Sequence, residues 1–183
     1  MFTLETIRDR QLIKTLIIKG NEHLGEIGFT DHGLTHVNLV ADLSRQILLD
    51  LGYDHRLAEL AGISGYMHDL GNVVNRNGHS QSGAMMAFVI LRRMGMKPEE
   101  VSIIASAIGN HDEGSGHPIN AVAAALILAD KSHVHCNRVR NFHVATYDIH
   151  DRVNYAVKKS TLQVDGLNKT TTLDLLIKTD ICP

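Results

Sequence analysis

The sequence predicts an all-α fold: a compact helical bundle of about six or seven helices closed by a small C-terminal β-hairpin. Three observations predict it. Apolar residues recur at three- and four-residue spacing over most of the chain. Gly and Pro fall mainly between those runs. After Ser160 the texture changes to β-branched residues on both sides of a turn-rich "DGLNK". A length of 183 residues suits one hydrophobic core. Residues 1–160 therefore read as the helical domain and 161–183 as a hairpin appendage of the same domain.

The first apolar run covers about Leu4 to Leu24, with Leu12, Ile13, Leu16, Ile17 and Leu24 on one side and Gly20 as a weak point. A second runs from about Leu34 to Leu51, turns Val37, Val40, Leu43, Ile47 and Leu48 inward, and stops at Gly52. The third starts at Asp54, a good N-cap, and continues through "RLAELAGISGYMHDL" to Gly71. The fourth spans roughly Ser80 to Met94 and ends at Gly95. Pro98-Glu99-Glu100 opens a fifth, because Pro suits the first helical turn and carboxylates favour its positive end. It finishes near "AIGNHDEG". A sixth runs from Pro118 through Asp130, and "IHDRVNYAVKK" forms a last short helix.

Composition removes several function classes. A net charge of −2 without basic stripes leaves no footprint for polymeric nucleic acid. The apolar run Ala121–Ala129 is far too short to span a bilayer, and the opening "MFTLETIRDR" does not read as a secretory leader. Cys136 and Cys182 form neither a disulfide framework nor a CxxC pair, which points to a reducing cytoplasm. Against these two cysteines stand twelve histidines.

The chemistry concentrates at helix ends. "GYMHDLG" places His68 and Asp69 at a C-terminus, where free carbonyls and the helix dipole favour a cation. "IIASAIGNHD" delivers His111 beyond another apolar helix, and "AALILADK" brings Asp130 to the end of a third. A single His at such a place is usually a cap. Three helices each ending on a nitrogen or oxygen ligand would build a metal site on rigid supports if their ends converge.

The ordered set His36 in "THVNLV", His68-Asp69 in "MHDLGN", and Asp130 in "LADKS" resembles the HD superfamily of metal-dependent phosphohydrolases, over about Asp31 to Arg140. His79 and His111 fill the places of the extra histidines in its binuclear subgroup. The resemblance implies that one metal takes His36, His68 and Asp130, a second takes His79 and His111, and Asp69 bridges them. A donor set without thiolate suits two divalent transition-metal ions, iron or manganese first, with cobalt, nickel, zinc or magnesium compatible. The implied reaction is hydrolysis of a phosphate ester or anhydride of a nucleotide or other small phosphorylated metabolite by a metal-activated hydroxide.

Lys131 and His117 are the further catalytic candidates: Lys131 would stabilise phosphoryl oxygens, and His117, in the loop after His111, would bind phosphate or protonate the leaving group, unless it is simply exposed to solvent. Both also count as substrate-binding residues, together with Arg138 and Arg140, whose guanidinium forks match phosphate, the alternative for the arginines being a solvated helix face. Asn72 and Arg76 are weaker candidates, and His32 lines the pocket without ligating. His133 and His135 either reach substrate or continue a helix surface. His23, His55, His143 and His150 read as structural or exposed. After His111 comes "DEGSGHP", so the "GYP" signature of the cyclic-di-GMP phosphodiesterase branch is absent. Two alternatives share the ligand set: a diiron oxygenase of the same fold, and a non-catalytic metal-stabilised sensing domain. The hairpin would cover the core or pair with a second subunit to make a homodimer.

Overall fold

The computed structural model describes residues 2–114, 116–140 and 149–179. Among them lie eight helices: α1 (Leu4–Arg8), α2 (Gln11–Glu26), α3 (Leu34–Asp50), α4 (His55–Met67), α5 (His79–Met94), α6 (Pro98–Gly109), α7 (Ala121–Ser132) and α8 (Ile149–Ala156). A 3₁₀ turn at Leu70–Val73 follows α4, and a second occupies Cys136–Arg138. Strands β1 (Val157–Asp165) and β2 (Thr170–Ile177) pair antiparallel. No helix among the described residues is long and apolar enough to cross a membrane.

Helix α4 forms the axis of the bundle, with every residue from Leu60 to Met67 buried. On one side Leu4, Ile7, Ile13, Ile17, Tyr66, Met67, Leu91, Ile104 and Ile108 make one apolar cluster; on the other Val40, Ile47, Leu48, Ala58, Ala61, Val122 and Leu126 make a second. Gly65 allows α3 to cross closely, since a Cβ there would stand 2.8 Å from Ala41 Cα and 2.9 Å from Val40 O. The four-residue connection from Leu51 to Asp54 turns the chain back on itself, so the start of α3 faces the end of α4. That antiparallel pairing positions the site.

The element boundaries differ from expectation where local polar groups compete with the apolar pattern. The first run is two helices, because the backbone N–H of Asp9 caps α1 on Glu5 and Ile7 carbonyls and α2 restarts at Gln11. Leu12 is 59% exposed, so it does not belong to the buried side assigned to it. Helix α7 begins at Ala121, not Pro118, because the Asn120 side chain accepts the Ala123 N–H and fixes the cap there. Asp54 and Gly95 cap α4 and α5 as expected, Gly95 in the left-handed region at φ 88°. The last helix ends at Ala156, and Val157 to Ser160 already belong to β1. Leu162 and Val164 of β1 pack on the second apolar cluster, and Ser160 Oγ donates to Ser132 O, which ties the hairpin to the end of α7. The turn is held by Asp165, which accepts from the Leu167 and Asn168 N–H groups. Of the histidines read as structural or exposed, His23 and His55 are exposed, while His143 lies outside the described residues, as does Cys182.

Candidate metal centre

Five element ends meet at one end of the bundle. His68 caps α4, Asp69 follows it, His111 follows the C-cap of α6, and Asp130 sits in the last turn of α7. The starts of α3 and α5 bring His36 and His79 from the opposite direction. Five of these side chains are nearly inaccessible: His36 0%, His68 1%, Asp69 5%, His79 3% and His111 2% exposed.

Their ligand atoms form two overlapping sets. His36, His68 and Asp130 offer atoms within 4.8 Å of one another, and so do His68, Asp69 and His111. His36 Nε2 lies 3.2 Å from Asp130 Oδ1, and His68 Nε2 lies 3.3 Å from Asp69 Oδ2. His79 Nε2 stands 3.1 Å from His111 Nε2 and 3.7 Å from Asp69 Oδ1. The two oxygens of Asp69 thus face different partners: Oδ2 toward His68 and His36, Oδ1 toward His79.

Ring orientation is fixed from behind. His68 Nδ1 lies 2.7 Å from Gly65 O, His79 Nδ1 3.0 Å from Arg76 O, and His111 Nδ1 2.6 Å from Ile108 O. Because a carbonyl only accepts, each Nδ1 must carry the proton, and each neutral ring presents a bare Nε2 to the centre. This is the outer-shell arrangement that metal-ligating histidines use. Asn72 Nδ2 donates to Asp69 Oδ1 at 2.7 Å and orients the carboxylate.

The donor set fits a cation on a specific ground. His36 Nε2, His68 Nε2 and Asp69 Oδ2 are buried without a hydrogen-bond partner, although carboxylate oxygens or imidazoles stand close by. Proximity without a directed hydrogen bond is what converging lone pairs produce. An unsatisfied buried polar group costs about 1–3 kcal/mol, and three around one point call for a shared positive partner. Nitrogens bound side by side to one ion at about 2.1 Å lie roughly 3 Å apart, which the His79–His111 separation of 3.1 Å matches.

Protonation follows the same geometry. Burial lowers His36 to about 3 and, aided by the charge of His68, His111 to about 4; it also lowers His79. These rings are neutral at physiological pH and able to ligate. His68 moves up: burial opposes its charged form, but Asp69 and then Asp130 outweigh that. Burial likewise opposes ionisation of Asp69 and Asp130, yet His68 for the first and His36 for the second hold them well below the usual carboxylate range. The raised proton affinity of His68 marks a place between two buried carboxylates where positive charge is favoured, and where a metal ion would place its own.

A cavity of about 350 Å³ opens onto this centre, lined among others by Phe29, His32, Arg76, Lys131, His133 and Arg138. Arg138 is held by donation from Nε to Asp31 O at 3.0 Å and from Nη1 to His133 O at 2.9 Å. Both acceptors are main-chain carbonyls, so these bonds fix the guanidinium without neutralising it. Lys131 Nζ bridges Asp130 Oδ2 and Glu113 Oε2, each at 3.1 Å. Arg76 Nη1 donates to His79 Nε2 at 3.3 Å, and its guanidinium lies 5.5 Å from the Phe29 ring centre.

Two expected substrate residues do not reach the cavity. Arg140 is tied to Asn21 and to Asp31, 3.3 Å away, and lies outside the lining, because the Gly28–Asp31 loop draws its fork toward α2. His117 is exposed on the loop before α7 and also lies outside the lining, so the acid role assigned to it loses its geometric basis. His32 lines the cavity as expected, with Nδ1 2.7 Å from Thr30 O. His135 caps the turn at Cys136–Arg138 and bonds Lys158 O, a structural position. Sequence reasoning missed Phe29, Glu113 and the α8 residues Asp151, Val153 and Asn154, which line the same cavity, the last three from far along the chain. The amphipathic pattern of α8 was the one available signal.

Comparison with known proteins agrees with this geometry. The HD domain family matches residues 33–134, more than half of the chain. The chain belongs to the HD domain family. Among solved structures, this HD domain is similar to a predicted HD superfamily hydrolase from an uncultured Thermotogales bacterium, at 20% identity and a TM-score of 0.54, covering 68% of each chain. That likeness concerns the fold. No curated protein matches the chain. The matched segment of the HD domain runs from the N-cap of α3 to just past α7 and so contains all six ligand candidates.

Proposed function

We propose that this HD domain is a metal-dependent phosphohydrolase that cleaves a phosphate ester or anhydride of a nucleotide or other small phosphorylated metabolite. The observation that carries the proposal is Asp69, whose Oδ2 faces His68 and His36 while Oδ1 faces His79. A carboxylate so placed suits a bridge between two ions, one held by His36, His68 and Asp130 and the other by His79 and His111. Iron and manganese suit this nitrogen-and-oxygen set best. When bound, such a pair supplies Lewis acidity toward phosphoryl oxygens and lowers the pKa of a water for in-line attack.

The remaining residues bind and orient. Arg138, locked by two main-chain carbonyls, presents a fixed positive fork to phosphate oxygens. Lys131 holds Asp130 through Oδ2, leaving Oδ1 directed at His36, and adds positive charge to the cavity wall. Arg76 donates to His79 Nε2 and lines the cavity, so its guanidinium would be available to substrate oxygens if an ion took that lone pair. The exposed Phe29 ring offers a flat surface beside Arg76 for an apolar or aromatic part of the substrate.

The experiment is elemental analysis of protein purified without added metal, followed by a panel of phosphorylated metabolites with several divalent ions, in air and without oxygen. Phosphate release that persists anaerobically is expected. Turnover that consumes oxygen and releases no phosphate would overturn the proposal in favour of an oxygenase, and metal uptake without turnover of any member would favour a sensing role.

A further inference from the structure

Three of the four histidines at the centre are aimed by the same device, and the fourth is not. His68, His79 and His111 each direct Nδ1 to the carbonyl three residues upstream. His36 sits in the first turn of α3, where the residue three upstream is Gly33, whose carbonyl already accepts the Val37 N–H. Its Nδ1 meets His133 Nδ1 instead, at 2.9 Å.

The two rings are disposed for a direct bond. Their centres are 5.2 Å apart and their planes differ by 11°. That span is as long as two ring radii and the 2.9 Å gap permit, so both Nδ1 atoms lie on the line between the centres and the N–H meets the lone pair head on. Two such nitrogens share one proton. On His36 Nδ1, it leaves His36 Nε2 bare toward Asp130 and Asp69. On His133 Nδ1, it forces the His36 proton onto Nε2, where it blocks an ion.

We propose that His133 is a positioning residue that accepts the Nδ1 proton of His36 and so holds His36 in the tautomer able to bind metal. The inference rests on the metal centre proposed above. His133 is well fixed for this task. Its N–H donates to Asp130 O at 3.2 Å, and its carbonyl accepts from Arg138 Nη1. The end of α7 thereby supplies both a carboxylate ligand, Asp130, and the orienting partner of the histidine opposite it.

The test compares Mn²⁺ binding by calorimetry in wild-type protein, His133→Leu and His133→Asn, whose Oδ1 can stand where the imidazole Nδ1 stood. The Leu variant should weaken one of two binding steps by about 10–100-fold, and the Asn variant should recover most of that loss. The other step, served by His79 and His111, should not move. Equal affinity in wild type and His133→Leu, or a loss at both steps that Asn fails to recover, overturns the inference while leaving the centre in place. Wild-type protein that takes up no Mn²⁺ overturns the centre itself. One measurement needs no variant: long-range ¹⁵N–¹H correlation spectra of the zinc-loaded wild type should show His36 protonated on Nδ1 and His133 on Nε2, and the reverse assignment sinks the idea.

Discussion

The two ends of α4 follow opposite rules. At its N-terminus the polar side chains find partners: Asp54 Oδ1 accepts the Arg56 and Leu57 N–H groups, and Arg56 pairs with both oxygens of Glu100 at 2.7 Å and with Phe2 O at 2.6 Å. Glu59, one turn further, accepts the Leu4 N–H and pairs with Arg45. At the C-terminus, thirteen residues away, His68 Nε2 and Asp69 Oδ2 are buried with no hydrogen bond, and His36 Nε2 joins them from α3. Both ends are polar. Where the task is to hold α1, α4 and α6 together, lone pairs are saturated. Where they are left open and converging, the structure awaits a cation.

Removing a ligand should break that contrast most severely. His68→Ala and Asp69→Ala are each expected to lose bound metal together with phosphate release on the order of 10³-fold or more, while helical circular dichroism persists. Retained turnover in either variant would remove the open end from the chemistry.

The open end should also carry the acid sensitivity of metal-free protein. His36 is lowered to about 3 and His32, His111 and His133 to about 4, all from 6.5, chiefly by burial. A depressed histidine contributes stability present above its unfolded pKa and lost as pH falls toward the folded one. The raised His68 acts in the opposite sense, but with His79, which is also lowered, five depressed rings stand against it. Melting temperature should therefore fall between about pH 6.5 and 4, and a flat profile across that window contradicts neutral burial of these rings.

Between the two ends, Gly65→Ala tests the close crossing on which both depend. Its Cβ would press on backbone atoms of Ala41 and Val40 at 2.8–2.9 Å, and backbone cannot rotate aside. A loss of about 1–3 kcal/mol in a denaturant titration is expected, with weaker metal binding because Gly65 O orients His68. The smallest effect belongs to the saturated end. Arg56→Ala leaves Glu100 unpaired and should cost about 1 kcal/mol, because the pair is partly solvated although bidentate. Metal affinity should not change.

Much of this centre was legible because its ligands sit at helix ends, where periodic sequence stops and an acid or imidazole stands out. His68, Asp69, His111 and Asp130 stand out in that way, His36 and His79 enter only through the resemblance to the HD superfamily, and the helical fold follows from the same periodicity. What stayed hidden depends on long-range placement. Arg138 and Arg140 are two residues apart and chemically alike, yet one faces the cavity and the other is drawn to Asn21 and Asp31, a distinction made by how the Gly28–Asp31 loop packs. His133 looks like any other helix-end histidine until α3 sets His36 against it. The β1 boundary at Val157 was masked because "AVKK" suits a helix locally, and Leu162 and Val164 must find the second apolar cluster before the strand is defined.

Anomalous diffraction from crystals soaked in Mn²⁺ tests the central claim most directly. Two peaks are expected, one at about 2.0–2.2 Å from His36, His68 and Asp130 donor atoms and one at that distance from His79 and His111, with Asp69 touching both. No peak in that cluster, or peaks elsewhere with these side chains turned from one another, would contradict it.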